Sequence, residues 1–213
     1  MKKHLLRTGS RTGLRIGLLG GSFNPAHAGH LHISVEAMAR LGLDEVWWLV
    51  SPHNPLKSAN DLADYETRVA CAKTLTASLP FIYISTIEAE KHWRYSIDSV
   101  RGLKHLYPKI EFVWLMGADN LVHFHCWRAW QILASTLPIA IFDRAPFTFS
   151  PLASLFCIRF AKRRIKEHLS LTLPAKQSPA WCFIHMPRHP LSATFLRKSL
   201  GEKAFYPHTS GKK

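Results

Sequence analysis

Short apolar runs alternate with helix-period stretches along nearly the whole chain, and this alternation limits the possible folds more than any other feature. The runs at 14–20, 45–50, 81–86, 110–116, 138–143 and 181–186 read as strands. The stretches at 29–41, 64–78, 96–106, 127–135, about 152–169 and 192–200 carry helical spacing. Strands alternating with helices build a parallel sheet with helices on both faces. Right-handed crossovers gather the loops that follow the strands on one edge. Ligands of such sheets bind at that edge, where the strand order reverses. The expected fold is α/β, a Rossmann-like parallel sheet in a single domain over 14–200, between a basic tail at 1–13 and a short tail at 201–213. Residues 146–180 are less readable. Pro146, Pro151, Pro174 and Pro179 surround a basic helical stretch, and an insertion over the site or a packing helix fits equally.

Residues 20–30 are the densest in chemistry: Gly20-Gly21-Ser22-Phe23-Asn24-Pro25-Ala26-His27-Ala28-Gly29-His30. They leave the first strand and enter the first helix. Two glycines at a strand end suit a tight turn and close approach of a ligand to the backbone. The helix start offers N–H groups and the positive end of the dipole, which favour phosphate. His27 and His30 fall at the same point. The segment matches neither G-x-G-x-x-G nor a P-loop, which needs a Gly-Lys-Ser/Thr end. A zinc site is a poor account of the histidines, because no Cys pair lies near them, and His32 reads as an ordinary helix-surface residue.

This segment resembles the G-x-F-(N/D)-P-x-H-x-G-H signature of nucleotidyltransferases that adenylylate small phosphates. A second signature of that superfamily, Ser-x-Thr-x-x-Arg, is matched by Ser192-Ala193-Thr194-Phe195-Leu196-Arg197. The stretches Trp48 to Lys57, Tyr95 to Ser99, and Met116 to Asn120 with Trp127 are similar to bacterial nicotinate-mononucleotide adenylyltransferases. The likeness covers roughly residues 14–200.

The resemblance implies transfer of the adenylyl group of ATP to nicotinate mononucleotide, with Mg²⁺ carried on the ATP phosphates. It implies catalytic roles for His27, His30 and Arg197. ATP would be held by Gly20, Gly21, Ser22, Phe23, His27, His30, Ser192, Thr194 and Arg197. The mononucleotide would meet Asn24, Lys57, Ser96, Asp119 and Trp127, with the pyridine ring stacked on Trp127 and its carboxylate on backbone N–H groups near Ser96. Ala193 replaces a hydroxyl common in the family pattern, which removes one auxiliary phosphate contact. Bland alternatives exist for several of these. Ser96 would serve as a helix cap, Trp127 would pack in a core with Phe124 and Trp130, and Lys57 would be a solvated loop lysine.

A formal charge of +14 favours anionic partners. Much of the excess lies at the chain ends and in Arg159 to Lys166, which read as solvated surface. A basic RNA-binding protein is the rival of another class, although no RRM, KH or similar signature occurs. Nearer rivals are adenylyltransferases of the same fold that act on nicotinamide mononucleotide or phosphopantetheine. No apolar run reaches the roughly 18 residues of a membrane span, and no secretory signal is evident. The expectation is therefore a cytoplasmic enzyme with no membrane or nucleic-acid partner. Cys71, Cys126, Cys157 and Cys182 form no C-x-x-C and read as reduced thiols. His123-Phe124-His125-Cys126 matches no strong metal spacing and reads as loop.

Overall fold

The computed structural model describes residues 13–52, 62–143 and 150–185. Lys57, Ser192, Thr194, Arg197 and the helix expected over 192–200 lie outside the described residues.

The strands are β1 (Arg15–Gly21), β2 (Glu45–Val50), β3 (Ile82–Ser85), β4 (Glu111–Gly117), β5 (Ile139–Phe142), β6 (Arg164–Ile165) and β7 (Trp181–Ile184). The helices are α1 (Ala28–Leu41), α2 (Tyr65–Leu75), α3 (Ile87–Glu90), α4 (Ser96–Leu106), α5 (Ala118–Leu121), α6 (Trp130–Thr136) and α7 (Leu155–Arg159). Among the described residues the strands form one sheet in the order β3-β2-β1-β4-β5-β7-β6, with every pairing parallel. The chain first winds outward from β1 through β2 to β3. It then returns to the other side of β1 with β4. The reversal lies between β1 and β4, so the crevice beyond Gly21 and Gly117 is the place such a sheet offers a ligand.

Strands buried on both faces need apolar residues at successive positions. On one face Leu18, Trp47, Leu49, Phe112, Trp114, Ile141 and Phe183 pack with Ile97, Val100 and Leu103 of α4 and Leu133 of α6. On the other face Leu19, Val46, Trp48, Leu115, Phe142 and Cys182 pack with Ile33, Ala37 and Leu41 of α1 and Val69 and Ala72 of α2. The expected doubly covered sheet is the observed one.

Three expectations about elements need correction. The stretch 152–169 is not one helix. It is a 3-10 turn (Ser150–Ala153), the short α7, a second 3-10 turn (Ala161–Arg163), the strand β6, and the start of a third turn (Glu167–Thr172). The cause is tertiary pairing: Arg164 and Ile165 join Trp181 and Cys182 of β7, and the ladder replaces the local helix. The helix expected from 127 begins at Trp130, because Trp127 is extended and Ala129 is left-handed with φ 52°. Gly20 and Gly21 do not form a turn; both are strand residues. The left-handed residue is Phe23, with φ 46°.

Candidate active site

The loop between β1 and α1 is built around that unfavourable backbone. A bulky residue at positive φ is held only where its surroundings over-determine it. Phe23 is buried and stacks on Trp48 of β2, with ring centroids 4.8 Å apart and an interplanar angle of 13°. Its other neighbour is His30, at 4.8 Å. Gly20 is explained by close packing: a Cβ there would lie 2.7 Å from the Trp114 indole.

His27 and His30 cap α1 reciprocally. His27 is the N-cap, with extended backbone, and its Nδ1 accepts the Gly29 N–H at 3.0 Å. The Nδ1 of His30 accepts the His27 N–H at 3.2 Å. The geometry is that of a capping box, with imidazoles in place of hydroxyl and carboxylate. Since each Nδ1 accepts, each neutral ring carries its proton on Nε2. The two rings lie 3.9 Å apart. His27 is buried and His30 half-buried. A relay fixes the helix turn behind them. The Trp48 indole N–H donates to Ser34 Oγ at 2.8 Å, and that hydroxyl donates to the His30 carbonyl at 2.9 Å.

Ser22 and Asn24 are buried in the same loop. The Asn24 side-chain oxygen accepts the Ala63 N–H at 3.1 Å, which ties the loop to the segment before α2. The helix that follows, α2, supplies Arg68, a residue not singled out by sequence reasoning. It is 1% exposed, on the inward stripe of α2 with Val69 and Ala72. Its guanidinium donates to the carbonyls of Ser22 (2.6 Å), Ser51 (2.8 Å), Pro52 (3.1 Å) and Ala63 (3.0 Å).

A second group lies beyond β3 and β4. Tyr95 is the N-cap of α4, with its N–H donating to Asp98 at 3.2 Å, so Ser96 is the first helical residue and not the cap. Trp127 is half-buried, edge-on to Trp114 at 6.2 Å and to Phe124 at 5.2 Å. The Arg128 guanidinium lies over the Tyr95 ring at 4.7 Å, which brings the Trp127 segment against the start of α4 beside Ser96. Asp119 is half-buried in the turn leaving β4. His123, His125 and Cys126 are exposed around a short 3-10 turn, and no group of metal-ligating side chains forms among the described residues.

Glu88 was also missed. It is 5% exposed and accepts a hydrogen bond from Ser99 Oγ at 2.5 Å. Burial pushes its carboxyl up to about 7, opposed by hydrogen bonds from Ser99 and Ser51. Arg159, Lys162, Arg163, Arg164 and Lys166 are exposed, as expected for solvated surface. None of the four cysteines forms a disulfide. No helix of the described residues is long and apolar enough to cross a membrane.

The geometry thus puts a helix N-terminus, two oriented imidazoles and a half-buried indole on the edge where the strand order reverses. Such a site can bind an anion and stabilise charge developing on it. The model of the cytidylyltransferase-like family matches residues 18–199. A Methylorubrum extorquens (strain PA1) protein described as "Probable nicotinate-nucleotide adenylyltransferase" is 47% identical over 184 residues, which is 86% of this chain and 99% of that one. A protein of the same description from Agrobacterium fabrum is 44% identical over 86% of this chain and 98% of its own length. In fold the chain is similar to Plasmodium falciparum nicotinic acid mononucleotide adenylyltransferase, solved in complex with NaAD. The TM-score is 0.65 at 18% identity, covering 87% of this chain and 83% of that one.

Proposed function

Because the chain belongs to the cytidylyltransferase-like family, among the nicotinate-nucleotide adenylyltransferases, we propose that it makes nicotinate adenine dinucleotide from ATP and nicotinate mononucleotide in NAD biosynthesis. The mononucleotide phosphate oxygen bonds to the α-phosphorus of ATP, the α–β bridging bond breaks, and pyrophosphate leaves. The attacking phosphate monoester is largely a dianion at neutral pH, since its second pKa is about 6. No proton has to be removed from it. Catalysis therefore consists of alignment and charge stabilisation.

The observation that carries this reading is the reciprocal histidine cap. It engages both imidazoles through Nδ1 at the start of α1, so that in the neutral rings Nε2 carries the N–H. These donors suit the oxygens of the triphosphate, whose negative charge builds as pyrophosphate departs. Imidazole N–H and backbone N–H groups match phosphate and not a hard cation, which takes oxygen ligands. ATP would accordingly be bound as its Mg²⁺ complex, the ion supplying charge neutralisation at the phosphates. Gly20, Gly21, Ser22 and Phe23 shape the ATP side, which Ser192, Thr194 and Arg197 complete. Asn24, Lys57, Ser96, Asp119 and Trp127 serve the mononucleotide. Trp127 offers an indole face to the pyridine ring, and N–H groups near Ser96 receive its carboxylate. The enzyme works in the cytoplasm.

The test is product identification after incubation with ATP, Mg²⁺ and nicotinate mononucleotide. Stoichiometric dinucleotide and pyrophosphate are expected. Release of ADP or AMP without a dinucleotide would defeat the proposal.

A further inference from the structure

We propose that Arg68 is a positioning residue for adenylyl transfer, holding the ATP-side loop and the mononucleotide-side loop at the separation that in-line attack requires. The proposal rests on the adenylyltransferase reading above and adds a residue to it.

β1 and β2 are neighbours, in register to Gly21 and Val50, and the ladder extends one residue further through the Ser51 N–H to the Gly21 carbonyl at 2.9 Å. Beyond that point the two loops part. The carbonyls of Ser22, Ser51 and Pro52 lie past the last paired residues, Gly21 and Val50. The Arg68 guanidinium donates to all three, the Nη1 atom bridging Ser22 of one loop and Ser51 of the other. Its Nε reaches Ala63, the residue whose N–H holds Asn24. A planar fork of five donors meets this set of acceptors; a lysine ammonium is a point charge with three donors and a different shape.

The loops so joined carry different cargo. Ser22 precedes Phe23 and the histidine cap, which serve the triphosphate. Ser51 lies on the other loop, and its hydroxyl bonds Glu88, which also accepts from Ser99 of α4 on the mononucleotide side. Arg68 touches neither nucleotide in this scheme. It sets the distance between what holds one and what holds the other. Misplacing reacting groups by about 1 Å can cost roughly 10²-fold in rate.

Arg68→Lys tests this, with kcat expressed per folded molecule, each KM measured separately, and amide exchange followed in the free protein. The expected result is a fall in kcat of about 10²-fold, with each KM changed less than about threefold, because each loop still holds its own ligand. Amides around Ser22 and Ser51 should lose protection together. Arg68→Gln, a shorter planar amide with a single NH₂ donor group, should lose at least as much as Lys. It is read in the same way if the lysine variant folds poorly. A kcat within twofold of the parent would overturn the proposal. So would a rise in one KM alone, which would assign Arg68 to a single subsite, or a loss that vanishes once the folded fraction is counted. A parent protein without turnover would instead defeat the functional reading before any variant is compared.

Discussion

The Nδ1 of His27 accepts the Gly29 N–H at 3.0 Å while the Nδ1 of His30 accepts the His27 N–H at 3.2 Å, so both imidazoles are tied to the helix start through the same ring nitrogen. The capping role of this pair and its proposed phosphate-binding role can be separated by substitution. His27→Asn keeps an acceptor suited to an N-cap, and its stability should stay near the parent's. His27→Ala should lose about 1 kcal/mol. Both should lose turnover. Chemical denaturation beside steady-state rates checks this, and an active His27→Asn enzyme would make the cap the whole role of His27.

His30→Ala removes the more exposed donor. One preorganised donor to a developing charge is worth roughly 10²–10³ in rate. A fall of that size in kcat is expected, with the sheet intact by circular dichroism. Near-normal turnover would remove His30 from the chemistry.

Glu88 gives a pH signature. Its carboxyl is raised from 4.5 to about 7 by burial, so the folded protein binds a proton in that window which the unfolded chain does not. The contribution is full below about pH 4.5 and is lost as pH rises through about 7. The ceiling is on the order of 3 kcal/mol. Unfolding free energy measured from pH 5 to 8 should fall more steeply for the parent than for Glu88→Gln. Parallel profiles would contradict the buried, proton-holding carboxyl.

Gly20→Ala places a Cβ 2.7 Å from the buried Trp114 ring, which has no room to withdraw. Overpacking of this kind costs about 1–3 kcal/mol. Trp114 lies edge-on to Trp127, so the strain should also raise the KM for the mononucleotide. An unchanged melting temperature would show that the indole accommodates the methyl group.

The strands and the helices on either side of residues 20–30 were legible because their signals are local. A buried strand is a run of apolar residues, and α1 starts at a histidine two residues before a glycine. Features that depend on distant partners were not legible. β6 exists because Arg164 and Ile165 meet Trp181 and Cys182, and no window around 164 contains them. Arg68 looks like a surface arginine until loops 46 and 17 residues away bring it their carbonyls. Its one local signal was its place beside Val69 and four before Ala72, on the apolar stripe of α2. Phe23 takes the turn that the two glycines seemed made for, because Trp48 gives its ring a stacking partner. Trp127 reads as a helix residue from the sequence but is extended, since nothing in the sequence marks Ala129 as left-handed.

Recognition of the pyridine carboxylate is tested most directly by initial rates with nicotinate and nicotinamide mononucleotides. The two substrates differ only in carboxylate against carboxamide. A charge-assisted hydrogen bond is worth roughly 1.5–3 kcal/mol, so losing one implies about 10–150-fold. The predicted result is at least a tenfold higher kcat/KM for the acid, with Trp127→Ala weakening both substrates while keeping much of the preference. Equal efficiencies, or a preference for the amide, would contradict the assignment.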